Sequence, residues 1–133
     1  MSGEETGPVG SHRDLIAWQR AMDLVDGIYD LSKRFPADER FALTDQMRRA
    51  AVSVPSNIAE GHGRYSIGDY LRFLRIAAGS LREVETQIEI AVRQGMVSRD
   101  EAIPAFRLCV ETTKVLRGLI RSKASAASLS PKP

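Results

Sequence analysis

This 133-residue chain has few side chains that could do chemistry: two His, one Cys and some neighbouring acids, set against 15 Arg. Helical bundles hold paired metals through Glu and Glu-x-x-His on facing helices. No Glu in this chain is followed three residues later by His. Glu85 and Glu89 lie one turn apart, but Arg82 and Arg93 flank them at helical spacing, the pattern of an ion-paired, solvated face. Pro55, Ser56 and Asn57 stand ahead of His62, where one family of helical ribonucleases carries an Arg. Cys109 falls on an apolar helical stripe with no His near it in sequence, and reads as a small core residue. The glycines of Gly61-x-Gly63 follow a helix instead of opening one, so they cannot aim amides at a phosphate from a helix N-terminus. The chain reads as no enzyme, with no catalytic residue, metal, cofactor or small-molecule substrate.

The arginines say more. They make up 15 of the 19 basic residues, and a guanidinium forms two-pronged hydrogen bonds to phosphate or carboxylate that an ammonium cannot. From Gln46 to Arg82, six Arg (48, 49, 64, 72, 75 and 82) face only Glu60 and Asp69. From Pro104 onward, Arg107, Lys114, Arg117, Arg121, Lys123 and Lys132 face only Glu111, while helix one carries Asp14, Asp23, Asp26 and Asp30. Two basic patches follow. Arg107, Lys114, Arg117 and Arg121 recur near helical spacing, and Arg48, Arg49, Arg64, Arg72 and Arg75 form the second set. Facing helices point their solvent faces apart, so the helix-four set, with fewer acids beside it, is the preferred nucleic-acid contact.

Four elements must position these groups. Leu15, Trp18, Met22, Val25 and Tyr29 predict helix one from Asp14, its cap, to Arg34, with Pro36 ending it. Leu43, Met47, Ala50, Val54 and Ile58 predict helix two to Glu60, bent at Pro55. Ser66 and Asp69 cap helix three, expected to be the longest, which keeps a seven-residue repeat to Gln94 and stops at Gly95. Ser98 and Glu101 make a second capping box for helix four, which runs to about Lys123.

The expected fold class is all-α, an antiparallel up-down-up-down four-helix bundle over residues 14–123 between flexible tails at 1–13 and 124–133. Apolar residues make up 43% and aromatics 6%, so the core is aliphatic. Leu24, Leu31, Tyr70 and Phe73 widen the apolar stripes beyond one bundle core, which points to a homo-oligomer. A lone Cys, no signal-like N-terminus and no membrane-length apolar run place the protein in the cytoplasm, away from membranes.

The densest unusual segment is Ser53–Arg64, SVPSNIAEGHGR. Pro55, Asn57, Glu60 and Gly61 read as structural pins of the helix-two to helix-three corner, with Asn57 buried and its amide satisfied. Leu15-x-x-Trp18-Gln19-x-Ala21-Met22, followed by the run Gln46-Met47-Arg48-Arg49-Ala50-Ala51-x-Ser53-Val54-Pro55-x-Asn57-Ile58-Ala59-Glu60-Gly61, resembles the four-helix bundle family encoded in 23S rRNA intervening sequences. That family includes the accessory variability determinant of diversity-generating retroelements. The resemblance covers residues 13–123. It implies a ring-like homopentamer, a basic surface for nucleic acid, and no enzymatic activity.

Two functions are therefore expected in competition. One is a homo-oligomeric accessory protein that binds RNA or DNA through Arg-rich helix faces. The other is a scaffold that binds acidic protein partners.

Overall fold

The computed structural model describes residues 10–129, and every regular element among them is helical. The four long helices are α1 (Ile16–Ser32), α2 (Leu43–His62), α3 (Ile67–Arg93) and α4 (Arg99–Leu129). Each packs on its neighbours in chain order, and α4 closes the bundle onto α1. Cross-links between elements show the antiparallel register. Arg48 donates to the Ser32 hydroxyl between α2 and α1, and the Ser53 and Ser80 hydroxyls meet at 2.8 Å between α2 and α3. Arg34, just past α1, donates to Glu101 of α4, and Thr112 of α4 donates to the Arg20 carbonyl of α1.

Aliphatic side chains from all four helices fill the centre, among them Leu24, Ile28, Met47, Ile58, Leu81 and Leu116. Leu24, Leu31 and Tyr70, expected to widen the apolar stripes outward, are buried inside this single core, and Phe73 is half-buried. They supply no outer apolar face. Tyr70 and Phe73 are taken up where α2 and α3 approach closely at Gly61, where a Cβ would stand 2.9 Å from the Phe73 Cβ and 3.1 Å from the Tyr70 carbonyl oxygen.

Local capping explains most boundaries. Ser66 accepts from the Asp69 amide at the start of α3. Ser98 and Glu101 exchange reciprocal bonds of 3.0 and 2.8 Å at the start of α4. Gly95 takes φ +75° between α3 and α4, the left-handed position that a residue with a Cβ resists. Pro55 is buried, and α2 runs through it without interruption.

The ends depart from expectation. Asp14 does not cap α1. Ser11 caps a 3-10 turn at His12–Asp14, the helix begins at Ile16, and Leu15 gives no side-chain cap. Residues 10–13 are thereby part of the structure, while residues 1–9 and 130–133, with Lys132, lie outside the described ones. Helix α4 continues past Lys123 to Leu129 and, at 31 residues against 27 for α3, is the longest. Ala124–Ser128 is alanine-rich and Pro131 is the first breaker, so helix propensity carries the chain on.

Candidate nucleic-acid interface

The exposed cations divide by what holds them. Arg48 of α2 donates to the Ser32 hydroxyl at 2.8 Å and covers the Tyr29 ring at 4.5 Å. Arg49 pairs with Asp45, and Arg64 with Glu60. Arg64 and Arg72 both cover Phe73, at 4.7 and 4.5 Å, and Arg72 lies 3.8 Å from Asp69. Four of the five residues in the helix-two and helix-three set are thus engaged within the fold.

The helix-four set is not. The side chains of Arg107, Lys114, Arg117 and Arg121 make no ion pair, hydrogen bond or ring contact among the described residues, and neither do those of Arg75 and Arg82 on α3. All six lie on α3 or α4. Arg82 and Arg117 line the same cavity, about 210 Å³, between α3 and α4. Arg75 is two turns from Arg82 on the same helical stripe, and Arg121 one turn from Arg117. Arg75 therefore sides with the helix-four set, because antiparallel neighbours α3 and α4 share one groove. Arg82 belongs there too. Sequence spacing places it only in a local charge sum, since nothing in one dimension says which α3 residues border α4.

Along α4 the cations from Arg107 to Arg121 span about 21 Å at 1.5 Å per residue. Exposed Ile103 and Val110 lie on the same stripe, and Phe106 is half-buried beside them. Glu111 on that helix faces Arg20 of α1 at 3.5 Å, so part of its charge is directed away from the α3 side.

The residues that could have done chemistry lie elsewhere. Burial, reinforced by the charge of Glu85, pushes the Cys109 thiol up to about 12, far from a nucleophile's range. His62 packs edge-on against Tyr70, and burial, then the charges of His12 and Lys123, holds it below the ordinary imidazole range. The corner motif is structural in its geometry. Asn57 is half-buried, less than expected, and its amide is satisfied by the Ser53 carbonyl and hydroxyl at 2.8 and 2.9 Å. No group of three His, Cys, Asp or Glu able to hold a metal occurs among the described residues, and no helix there is long and apolar enough to cross a membrane.

A family model described as 23S rRNA-intervening sequence protein matches residues 13–118. The chain belongs to that family. The matched span takes in every residue that lines the α3/α4 cavity, Arg82 and Arg117 among them. Among solved structures, the chain is similar to a protein of unknown function from the S23 ribosomal protein family of Bacteroides thetaiotaomicron VPI-5482. The two share 23% identity with a TM-score of 0.73, covering 79% of this chain and 98% of that one. That likeness shows a common fold. No curated protein matches.

Proposed function

We propose that the chain is a non-enzymatic accessory protein of the cytoplasm that holds RNA or DNA by its phosphates along the α3/α4 face. One observation carries this reading: Arg82 and Arg117 line the α3/α4 cavity, and their side chains, like those of Arg75, Arg107, Lys114 and Arg121 on the same two helices, have no intramolecular partner among the described residues. Cations already paired with acids must break those pairs to meet a phosphate, whereas free ones only release counterions. Affinity of this kind is independent of sequence to first order and falls steeply with salt.

We propose further that the protein acts as a homo-oligomer, a ring of five as the family resemblance implies. An apolar groove between α1 and α2, with Met22 and Val52 about 40% exposed and Trp18 and Pro55 beside them, supports self-association there. That groove lies on the helix pair that leaves α3 and α4 free. A formal charge of +2 per chain becomes about +10 in five copies, which concentrates the field seen by a polyanion.

The competing reading is a scaffold for acidic proteins. The apolar stripe of Ile103, Phe106 and Val110 beside Arg107 and Lys114 favours it, since an acidic amphipathic segment matches that pattern. Filter retention of labelled RNA and DNA at two salt concentrations separates the two. Nucleic-acid binding is expected at low salt, and its loss is expected in the triple variant Lys114→Glu, Arg117→Glu, Arg121→Glu with helicity and oligomer mass unchanged. No retention of either nucleic acid by the parent would favour the scaffold.

A further inference from the structure

A surface that only followed phosphates would have no use for a carboxylate, yet Glu85 lines the α3/α4 cavity together with Arg82 and Arg117. It is half-buried and forms no hydrogen bond or ion pair among the described residues, despite the two guanidiniums lining the same cavity. Thr113, across from it on α4, is likewise half-buried, and its hydroxyl has no hydrogen-bond partner there. Ala78, Leu81 and Leu116 complete an apolar floor. Free acceptors, a free hydroxyl and an apolar floor between cationic rails make a different kind of site from the rails themselves.

We propose that this cavity receives one unstacked guanine of a single strand whose phosphates rest on the flanking cations. The inference builds on the phosphate-binding reading of the face. A carboxylate only accepts hydrogen bonds, and it has two oxygens side by side. Guanine is the one common base whose Watson–Crick edge offers two adjacent donors, N1–H and the N2 amino group. Cytosine and adenine place a ring acceptor next to their amino group, and uracil or thymine flanks its single N–H with two carbonyls. Each of those edges sets an oxygen or nitrogen lone pair against the carboxylate. With guanine in place, the remaining O6 accepts from the Thr113 hydroxyl or from a guanidinium, and the ring face lies over half-buried Ala78. A duplex base presents neither a free edge nor a free face, so the ligand is single-stranded.

Fluorescence anisotropy on the full chain tests this. The probes are a short labelled oligouridine and the same oligomer with one central guanine, adenine or cytosine. The guanine oligomer should bind about tenfold more tightly than the others, the range of a bidentate base contact. Inosine, which lacks the N2 amino group, should lose most of that gain, and 7-deazaguanine, which keeps the same edge, should retain it. An oligothymidine with one guanine should show the same preference, because the contact is to the base edge and not the sugar. Glu85→Gln should remove the preference while binding oligouridine at least as tightly as the parent, and Thr113→Val should remove part of it. If the parent binds every oligomer equally, the guanine site is wrong and the phosphate-binding face stands. If Glu85→Gln keeps the guanine preference, the site is likewise overturned. If the parent binds no oligomer at low salt, the face and the site fail together.

Discussion

Arg82 of α3 and Arg117 of α4 line one cavity from opposite walls, and neither side chain has an ion-pair partner among the described residues. Two guanidiniums converging with Glu85 on the cavity but paired to neither cost electrostatic energy, which the fold tolerates because both remain exposed and screened. The substitution Arg82→Glu should bring a carboxylate within reach of Arg117. Thermal stability should hold or rise slightly, since exposed pairs contribute only about 0.2–1 kcal/mol. Nucleic-acid affinity should fall. A variant that loses both stability and affinity would mark Arg82 as structural.

Gly61 and Gly79 both lie within helices, yet alanine should act oppositely at the two positions. At Gly61 the new Cβ meets the Phe73 Cβ and the Tyr70 carbonyl, so α3 must shift, and a net loss of about 1–3 kcal/mol is expected. At Gly79 nothing lies within 4 Å, and Gly79→Ala should stabilise by about 0.5–1 kcal/mol through helix propensity. Urea denaturation of both variants checks the signs.

Among the described residues the Asn57 side chain bonds only to Ser53, whose hydroxyl also meets Ser80. Asn57→Leu therefore leaves no group wholly stranded, and it should cost about 1 kcal/mol. A loss several times larger in the same denaturation experiment would mean that Asn57 pins the corner by more than this bond.

Glu101 accepts from the Ser98 amide and lies near Arg34, and the first of these chiefly holds its carboxyl below the ordinary value of 4.5. A depressed folded value means that the contribution is present above the unfolded value and is lost as pH falls through the folded one. Melting temperature should drop between about pH 5 and pH 3, and Glu101→Gln should flatten that part of the drop. Ser98→Ala, which removes the other half of the capping box, should cost about 1 kcal/mol at neutral pH. Equal pH profiles for parent and Glu101→Gln would count against the cap.

How much of this is legible in one dimension varies with the kind of information required. The four helices follow from periodicity and from capping pairs such as Ser98 and Glu101, whose mechanism is local. Helix ends without such signals are misplaced. Leu15 gives α1 no side-chain cap, and the run of alanines and serines after Lys123 resembles a tail although it lacks a breaker. The burial of Leu24, Leu31 and Tyr70 depends on how many helices surround each stripe, which sequence spacing cannot count. Among the basic residues, spacing groups the α4 cations near one helical face. It cannot show that Arg48 and Arg64 are held by Ser32 and Glu60, nor that Arg82 borders α4. Spacing alone makes Glu85 a solvated acid, because a cavity between two helices leaves no mark in either helix alone.

The salt dependence of affinity tests the central claim most directly, measured for the parent and for two charge variants on a single-stranded oligomer. One variant carries Gln at Arg82, Lys114, Arg117 and Arg121, and the control carries Gln at Arg48, Arg49, Arg64 and Arg72. Each cation–phosphate pair that a substitution removes should reduce the slope of log affinity against log salt by about 0.7. The slope of the α3/α4 variant should fall by about 2–3, while the control keeps nearly the parental slope. Equal slopes in all three proteins, or a flatter slope in the control alone, would contradict the assignment of the nucleic-acid face to α3 and α4.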